Sequence, residues 1–168
     1  CCTVRTDLVE TLRKLATKVN KFDGVIIETT GLADPAPVAQ TFFIDEELQK
    51  LYSLDCITAV CDAKYLVTRL DDEKPEGVEN EAVEQLAFAD RVLLNKIDLV
   101  PDEATLERIE QRLRGINQFA PIKRCTRGQV DVADVLDLDV HLTGISLASH
   151  LHLGCISAGG RRRRARHR

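Results

Sequence analysis

Apolar positions change their spacing several times along the chain, and each change marks an element. Leu8, Leu12, Leu15, Ala16 and Val19 recur at helical spacing, and Asp7 with Glu10 offers an N-cap and its capping-box partner, so a helix is predicted over 7–20. Val25-Ile26-Ile27-Glu28-Thr29 follows, rich in β-branched residues and almost without polar alternation, which predicts a parallel strand at the centre of a sheet, buried on both faces. Pro35 and Pro37 break the chain, and short helices are predicted over 38–43 and 46–51. A strand over 56–61, a helix over 63–70 and an exposed charged loop over 71–79 come next. A helix over 81–88, a buried strand Arg91–Asn95, an amphipathic helix over 102–113 and a strand over 121–125 complete the pattern. This alternation predicts an α/β fold with a parallel sheet flanked by helices. In such sheets ligands gather beyond the carboxyl ends of the strands, where Glu28, Asp62 and Asn95 fall.

Composition narrows the class. The chain has 168 residues, 44% of them hydrophobic, with no apolar run long enough to span a bilayer, which suits one domain with a real core rather than a membrane-spanning or disordered chain. It opens on Cys1-Cys2 with no signal-peptide pattern, so we expect a cytoplasmic protein whose start lies upstream. Six of its 23 basic residues are arginines within 161–168, leaving 17 basic against 27 acidic residues in the rest, a net charge of −10. An acidic body argues against a dedicated nucleic-acid module. The arginine tail follows the linker-like Ser157-Ala158-Gly159-Gly160 and reads as a solvated terminus, with nonspecific contact to nucleic acid or anionic lipid as the alternative. Residues 1–142 are therefore expected to form the domain and 143–168 a poorly ordered basic tail.

Six cysteines in such a chain point to free thiols in a reducing compartment. Cys56 and Cys61 fall in an apolar run, as small buried hydrophobes do, and Cys125 and Cys155 have no partner at metal-ligand spacing. His150-Leu151-His152 reads as an irregular segment or exposed strand edge rather than a metal pair.

Two motifs carry chemistry. In Asn95-Lys96-Ile97-Asp98, directly after a buried strand, the carboxylate of Asp98 can accept hydrogen bonds from N1 and the exocyclic amino group of guanine. Asn95 supports the loop, and Lys96 can lay its alkyl stem across the purine. Adenine presents a lone pair where Asp98 needs a donor, and sites built on such hydrogen bonds can reject the wrong partner by ~10⁴. GTP is therefore expected over ATP. The second motif is Glu28-Thr29-Thr30-Gly31-Leu32-Ala33-Asp34-Pro35. An acid at the end of a strand suits water-mediated contact with Mg²⁺, and the amide of Gly31, with no side chain above it, can approach a γ-phosphate and move when that phosphate leaves. No G-x-x-x-x-G-K-[ST] loop occurs in the sequence.

With Gln85-Leu86-Ala87-Phe88-Ala89-Asp90-Arg91 running into 95–98, and Cys1-Cys2-Thr3-Val4-Arg5 at the start, the chain resembles CobW-type GTPase metallochaperones, the zinc-regulated GTPase metalloprotein activator family, over about residues 1–140. The resemblance implies a three-layer P-loop GTPase-like domain, here lacking its first strand and P-loop. It also implies GTP, Mg²⁺ and Zn²⁺ as ligands, a client metalloprotein as partner, and no membrane or specific nucleic acid. Cys1 and Cys2 look like the last two ligands of a Cys-x-Cys-Cys zinc motif; by itself a cysteine pair would be structural or incidental. They lead into Thr3-Val4-Arg5-Thr6 and a helix whose N-terminal amides can favour an anion. Two further readings stay open: a non-catalytic metal-binding or client-interaction fragment, and a nickel- or cobalamin-related GTPase chaperone.

Overall fold

A computed structural model describes residues 2–17, 24–29, 36–75, 80–135 and 153–158. Five strands form one sheet in the order β1-β5-β2-β3-β4, where β1 is Gly24–Ile27, β2 Tyr52–Asp62, β3 Arg91–Asn95, β4 Ile122–Arg124 and β5 Leu153–Ala158. β2, β3 and β4 run parallel, while β5 is antiparallel to both its neighbours, so β1 points the same way as β2. The eleven residues of β2 are shared between two partners: Tyr52 to Thr58 pair with β5, across an irregularity between Leu54 and Cys56, and Thr58 to Asp62 pair with β3.

Among the described residues six α-helices accompany the sheet: α1 Cys2–Ala16, α2 Ala36–Ile44, α3 Glu46–Leu51, α4 Leu66–Leu70, α5 Glu81–Ala87 and α6 Glu103–Ile116. Their starts follow side-chain capping. Asp45 accepts the backbone N–H groups of Glu47 and Leu48 at α3, Asn80 those of Ala82 and Val83 at α5, and Asp102 that of Thr105 at α6. Asn117 closes α6 and locks it to the end of α5 and the turn before β3. Its amide donates to the carbonyls of Leu86 and Ala89, and its oxygen accepts from Phe119 and Ala120.

Among the described residues, two larger clusters of buried side chains hold the layers, beside a small one of Ala39 and Ile57. Ala59, Cys61, Val92 and Leu94 from the parallel strands pack against Leu66 and Leu70 of α4, Leu86 of α5, and Leu106, Ile109 and Leu113 of α6. A smaller cluster joins Leu12 of α1, Phe42 of α2, Leu48 of α3 and Tyr52, with Val25 and Ile27 of β1 partly buried beside it. The Tyr52 hydroxyl donates to the carbonyl of Leu12 at 2.7 Å, tying α1 to β2.

Three expectations change. The strand over 25–29 is predicted to be parallel and central, yet β1 is an edge strand of the sheet, paired antiparallel with β5, and Ile26 is 55% exposed. A short apolar run without alternation does not distinguish two buried faces from one, because the neighbour decides which faces are covered. The first helix begins at Cys2 rather than Asp7, and Thr11 donates to the carbonyl of Asp7 at 2.7 Å, placing Asp7 within the helix rather than at its cap. The helix predicted to reach 20 ends at Ala16; 18–20 lie outside the described residues. Leu153–Ala158, expected in a poorly ordered tail, is a strand between β1 and β2. His150, His152 and the arginines of 161–168 lie outside the described residues.

Candidate functional site

The carboxyl ends of β2, β3 and β4 deliver Asp62, Asn95 and Cys125 to one edge of the sheet. The register pairs Asp62 with Asn95, and the N–H of Ala63 donates to the Asn95 carbonyl at 2.9 Å, so the loops leaving β2 and β3 start side by side. The Asn95 side-chain oxygen accepts the N–H of Lys96 at 2.9 Å and that of Gly128 at 3.1 Å, with the Cys125 thiol 3.6 Å away. Asn95 therefore does not merely face outward. It ties its own loop to the one that follows β4.

Lys96 adopts φ 61°, the left-handed region that a side-chain-bearing residue enters at a cost of about 1–2 kcal/mol. That kink turns the chain from β3 into the short 3-10 turn Ile97–Leu99, whose start is pinned by the Ile97 N–H on the Cys125 carbonyl. Asp98 sits on this turn, exposed, on the wall of a cavity of about 360 Å³ shared with Ile97, Arg124 and Thr126. Arg124 is held between Glu103 and Glu110 of α6, each at 2.6 Å, which fixes β4 and the loop after it against the helix. The Lys96 ammonium lies 2.6 Å from the Asp62 carboxylate. Partial burial pushes the Asp62 carboxyl up, but the hydrogen bond from Lys96 and those from the N–H groups of Lys64 and Tyr65 outweigh it and hold it below its ordinary value. The same hydrogen bond raises Lys96. A larger cavity, about 810 Å³, lies among β2, α4 and α5 and reaches this edge at Asp62 and Tyr65.

The loop at 125–128 was missed in the sequence. Gly128 has φ 68° and Arg127 φ 54°, so two consecutive left-handed residues present the Gly128 amide to Asn95. The only signal was Arg127-Gly128 after a strand, a turn dipeptide without chemistry of its own. Part of the motif at 85–91 also proves structural. The Asp90 carboxylate accepts the N–H of Ile57 at 2.7 Å while its own N–H donates to the Ile57 carbonyl, setting the register of β3 on β2, and Gln85 is buried.

The other motif is only partly described. Glu28 leaves β1 exposed, at the same edge as Asp62 and Asn95, whereas Thr30, Gly31 and 32–35 lie outside the described residues. Cys1 does too. Cys2, Thr3, Val4, Arg5 and Thr6 form the first turns of α1, so they belong to the helix rather than lead into it, and Thr6 is exposed. Among the described residues no group of three or more His, Cys, Asp or Glu side chains is placed to hold a metal. Burial pushes the Cys61 thiol up to about 12 and raises Cys125, which disfavours the reactive thiolate at both.

Parallel strands flanked by helices, with hydrogen-bonded loops at their carboxyl ends, define an α/β domain of the P-loop GTPase-like type. The sequence places it within that class: residues 1–124 match the profile of the CobW/HypB/UreG nucleotide-binding domain, and the chain belongs to that family. It is 39% identical over 142 residues to the zinc-regulated GTPase metalloprotein activator 1 of Schizosaccharomyces pombe, covering 84% of this chain and 33% of that protein. It is 38% identical over 136 residues to the zinc chaperone YjiA of Escherichia coli, covering 79% of this chain and 40% of that one. The activator of Saccharomyces cerevisiae is 29% identical over 154 residues, covering 84% and 36%. The chain thus spans between a third and two fifths of the curated relatives' length. No solved structure matches it.

Proposed function

We propose that the protein to which this chain belongs is a GTP-dependent zinc chaperone that hands the metal to a client metalloprotein, with GTP hydrolysis resetting the switch. The observation that carries the nucleotide half of this reading is the bracing of the 95–98 loop through the Asn95 oxygen, which leaves the Asp98 carboxylate exposed at the carboxyl edge of the sheet. In this reading Asp98 accepts from guanine, Asn95 and Ile97 fix the loop, and Lys96 covers the base. Glu28 orients Mg²⁺ through water, and Gly31 senses the γ-phosphate. Bound Mg²⁺ would neutralise charge on the terminal phosphates. Zinc is cargo, held by Cys1 and Cys2 with a further ligand, and the start of α1, over Cys2, Thr3, Val4, Arg5 and Thr6, couples that metal to the nucleotide. The relatives named zinc-regulated GTPase metalloprotein activator and zinc chaperone support the metal half of this reading, and the first of these names supports the nucleotide half.

The test is base selectivity. An Asn at position 98 donates where xanthine carries a carbonyl, so Asp98→Asn should shift the preference from guanine toward xanthine nucleotides by ~10² or more, read by competition against a fluorescent GTP analogue with Mg²⁺. An unchanged preference would sink the reading. Because the sequence has no glycine-rich phosphate loop, we expect the 168-residue chain to bind the analogue weakly, and micromolar or tighter binding would overturn the idea that such a loop is essential to it.

A further inference from the structure

We propose that Asp62 is a positioning residue for base recognition: it grips the Lys96 ammonium and so fixes the lysine stem that covers the base, an inference that rests on the guanine-reading role given to the 95–98 loop. Asp62 is the last residue of β2 and stands opposite Asn95, the last of β3, so the two loops share one origin. Its two carboxylate oxygens have separate tasks. Oδ1 accepts the N–H of Lys64 at 3.0 Å, which orients the carboxylate, and Oδ2 takes the Lys96 ammonium at 2.6 Å. The backbone on each side is also fixed, since the Asp62 carbonyl accepts the N–H of Tyr65 at 3.1 Å and the N–H of Ala63 donates to Asn95.

Lys96 is the residue that most needs such an anchor. A lysine stem has four rotatable carbons and loses its freedom only at a cost. Its left-handed backbone gives it a fixed departure from β3, and the ion pair fixes its far end. A stem held at both ends needs no ordering by the ligand; a stem held at one end would have to be ordered by it. Asn95 is anchored by the loop after β4, and Lys96 by the end of β2. Each neighbouring strand thus orders one residue of the reading loop.

The experiment uses guanosine and adenosine, which lack phosphates and so isolate base reading, titrated at millimolar concentration into the ¹⁵N-labelled chain with the amides of 95–98 and 125–128 as reporters. We expect guanosine to bind in preference to adenosine and Asp98→Asn to abolish the preference. Asp62→Asn should weaken guanosine about 2- to 5-fold, the range of an exposed ion pair. Asn keeps an oxygen for the Lys64 N–H, so the turn survives. Lys96→Met keeps an unbranched stem without the charge, and adding Asp62→Asn to it should cost nothing further. Additive losses in that double variant, or an Asp62→Asn chain that binds guanosine like the parent while Asp98→Asn does not, would overturn the positioning role and leave the guanine reading standing. A parent chain with no guanosine preference would overturn both. The Lys96 ammonium resonance reports the pair independently: it should be distinct from the solvent lysines in the parent and merge with them in Asp62→Asn. If it already matches them in the parent, the anchor does not exist.

Discussion

The half of the molecule built on β2, β3 and β4 and the half built on β1 and α1 are fixed by different means. In the first, three parallel strands share a continuous core with three helices, and each loop at their carboxyl ends is tied to a second element: Asp62 to Lys96, Asn95 to Gly128, Arg124 to α6. In the second, a four-residue edge strand leans on a cluster of four buried side chains, and the antiparallel β5 stands between it and β2 in the sheet. The motif proposed to read the base lies in the first half, and Glu28 of the proposed switch follows β1 in the second. A loop that must recognise one base gains from being prearranged, whereas a segment that must respond to a phosphate has to move, and elements with fewer buried contacts open at lower free energy.

Breaking this contrast should be easiest in the core of the first half. Leu94 is fully buried beneath the reading loop, and Leu94→Ala should cost about 2–5 kcal/mol in urea unfolding. A loss below 1 kcal/mol would mean that this core is not the stable part. Acid should act on the same half. Asp62, Asp102 and Asp134 are all held below their ordinary carboxylate values: Asp62 by Lys96 and backbone N–H groups that outweigh its burial, Asp102 by the Thr105 backbone N–H, and Asp134 by the Lys123 ammonium. A carboxyl with a lowered folded value favours folding above its unfolded value, about 4, and loses that contribution as the pH falls through the folded one. The urea midpoint should therefore drop between pH 5 and the acid limit, and replacing Asp134 by Asn should flatten that dependence; a midpoint that rises in acid would contradict the pairing. The smallest effect belongs to β1, where Ile26→Ser should change stability by no more than about 0.5 kcal/mol because the side chain is already half in solvent. A larger loss would show that β1 is as firmly packed as β3.

Much of the first half was legible in the sequence. The strand Arg91–Asn95 appears where the apolar pattern placed it, the helix predicted over 81–88 spans Glu81–Ala87, and the one predicted over 102–113 spans Glu103–Ile116 behind an Asp102 cap. These elements are set by local signals: a run of buried apolar residues, a capping side chain, a helical stripe. What stayed hidden depends on partners distant in sequence. The 125–128 loop matters because Gly128 reaches Asn95, and Asp62 matters because Lys96 reaches it, neither of which a local pattern encodes. The same holds for β1, whose four apolar residues look like a central strand until its neighbours are known.

The sequence alone determined the alternation of strands and helices, the acidic body with its basic tail, and the residue types of the two motifs, because these follow from short-range periodicity and side-chain chemistry. Only the tertiary structure decided that Asn95 is a brace rather than a bare contact, that Lys96 ends on Asp62, and that Leu153–Ala158 stands between β1 and β2. Hydrogen-bond partners and strand neighbours are relations between distant segments, fixed by which edges and polar groups remain to be satisfied once the chain has folded.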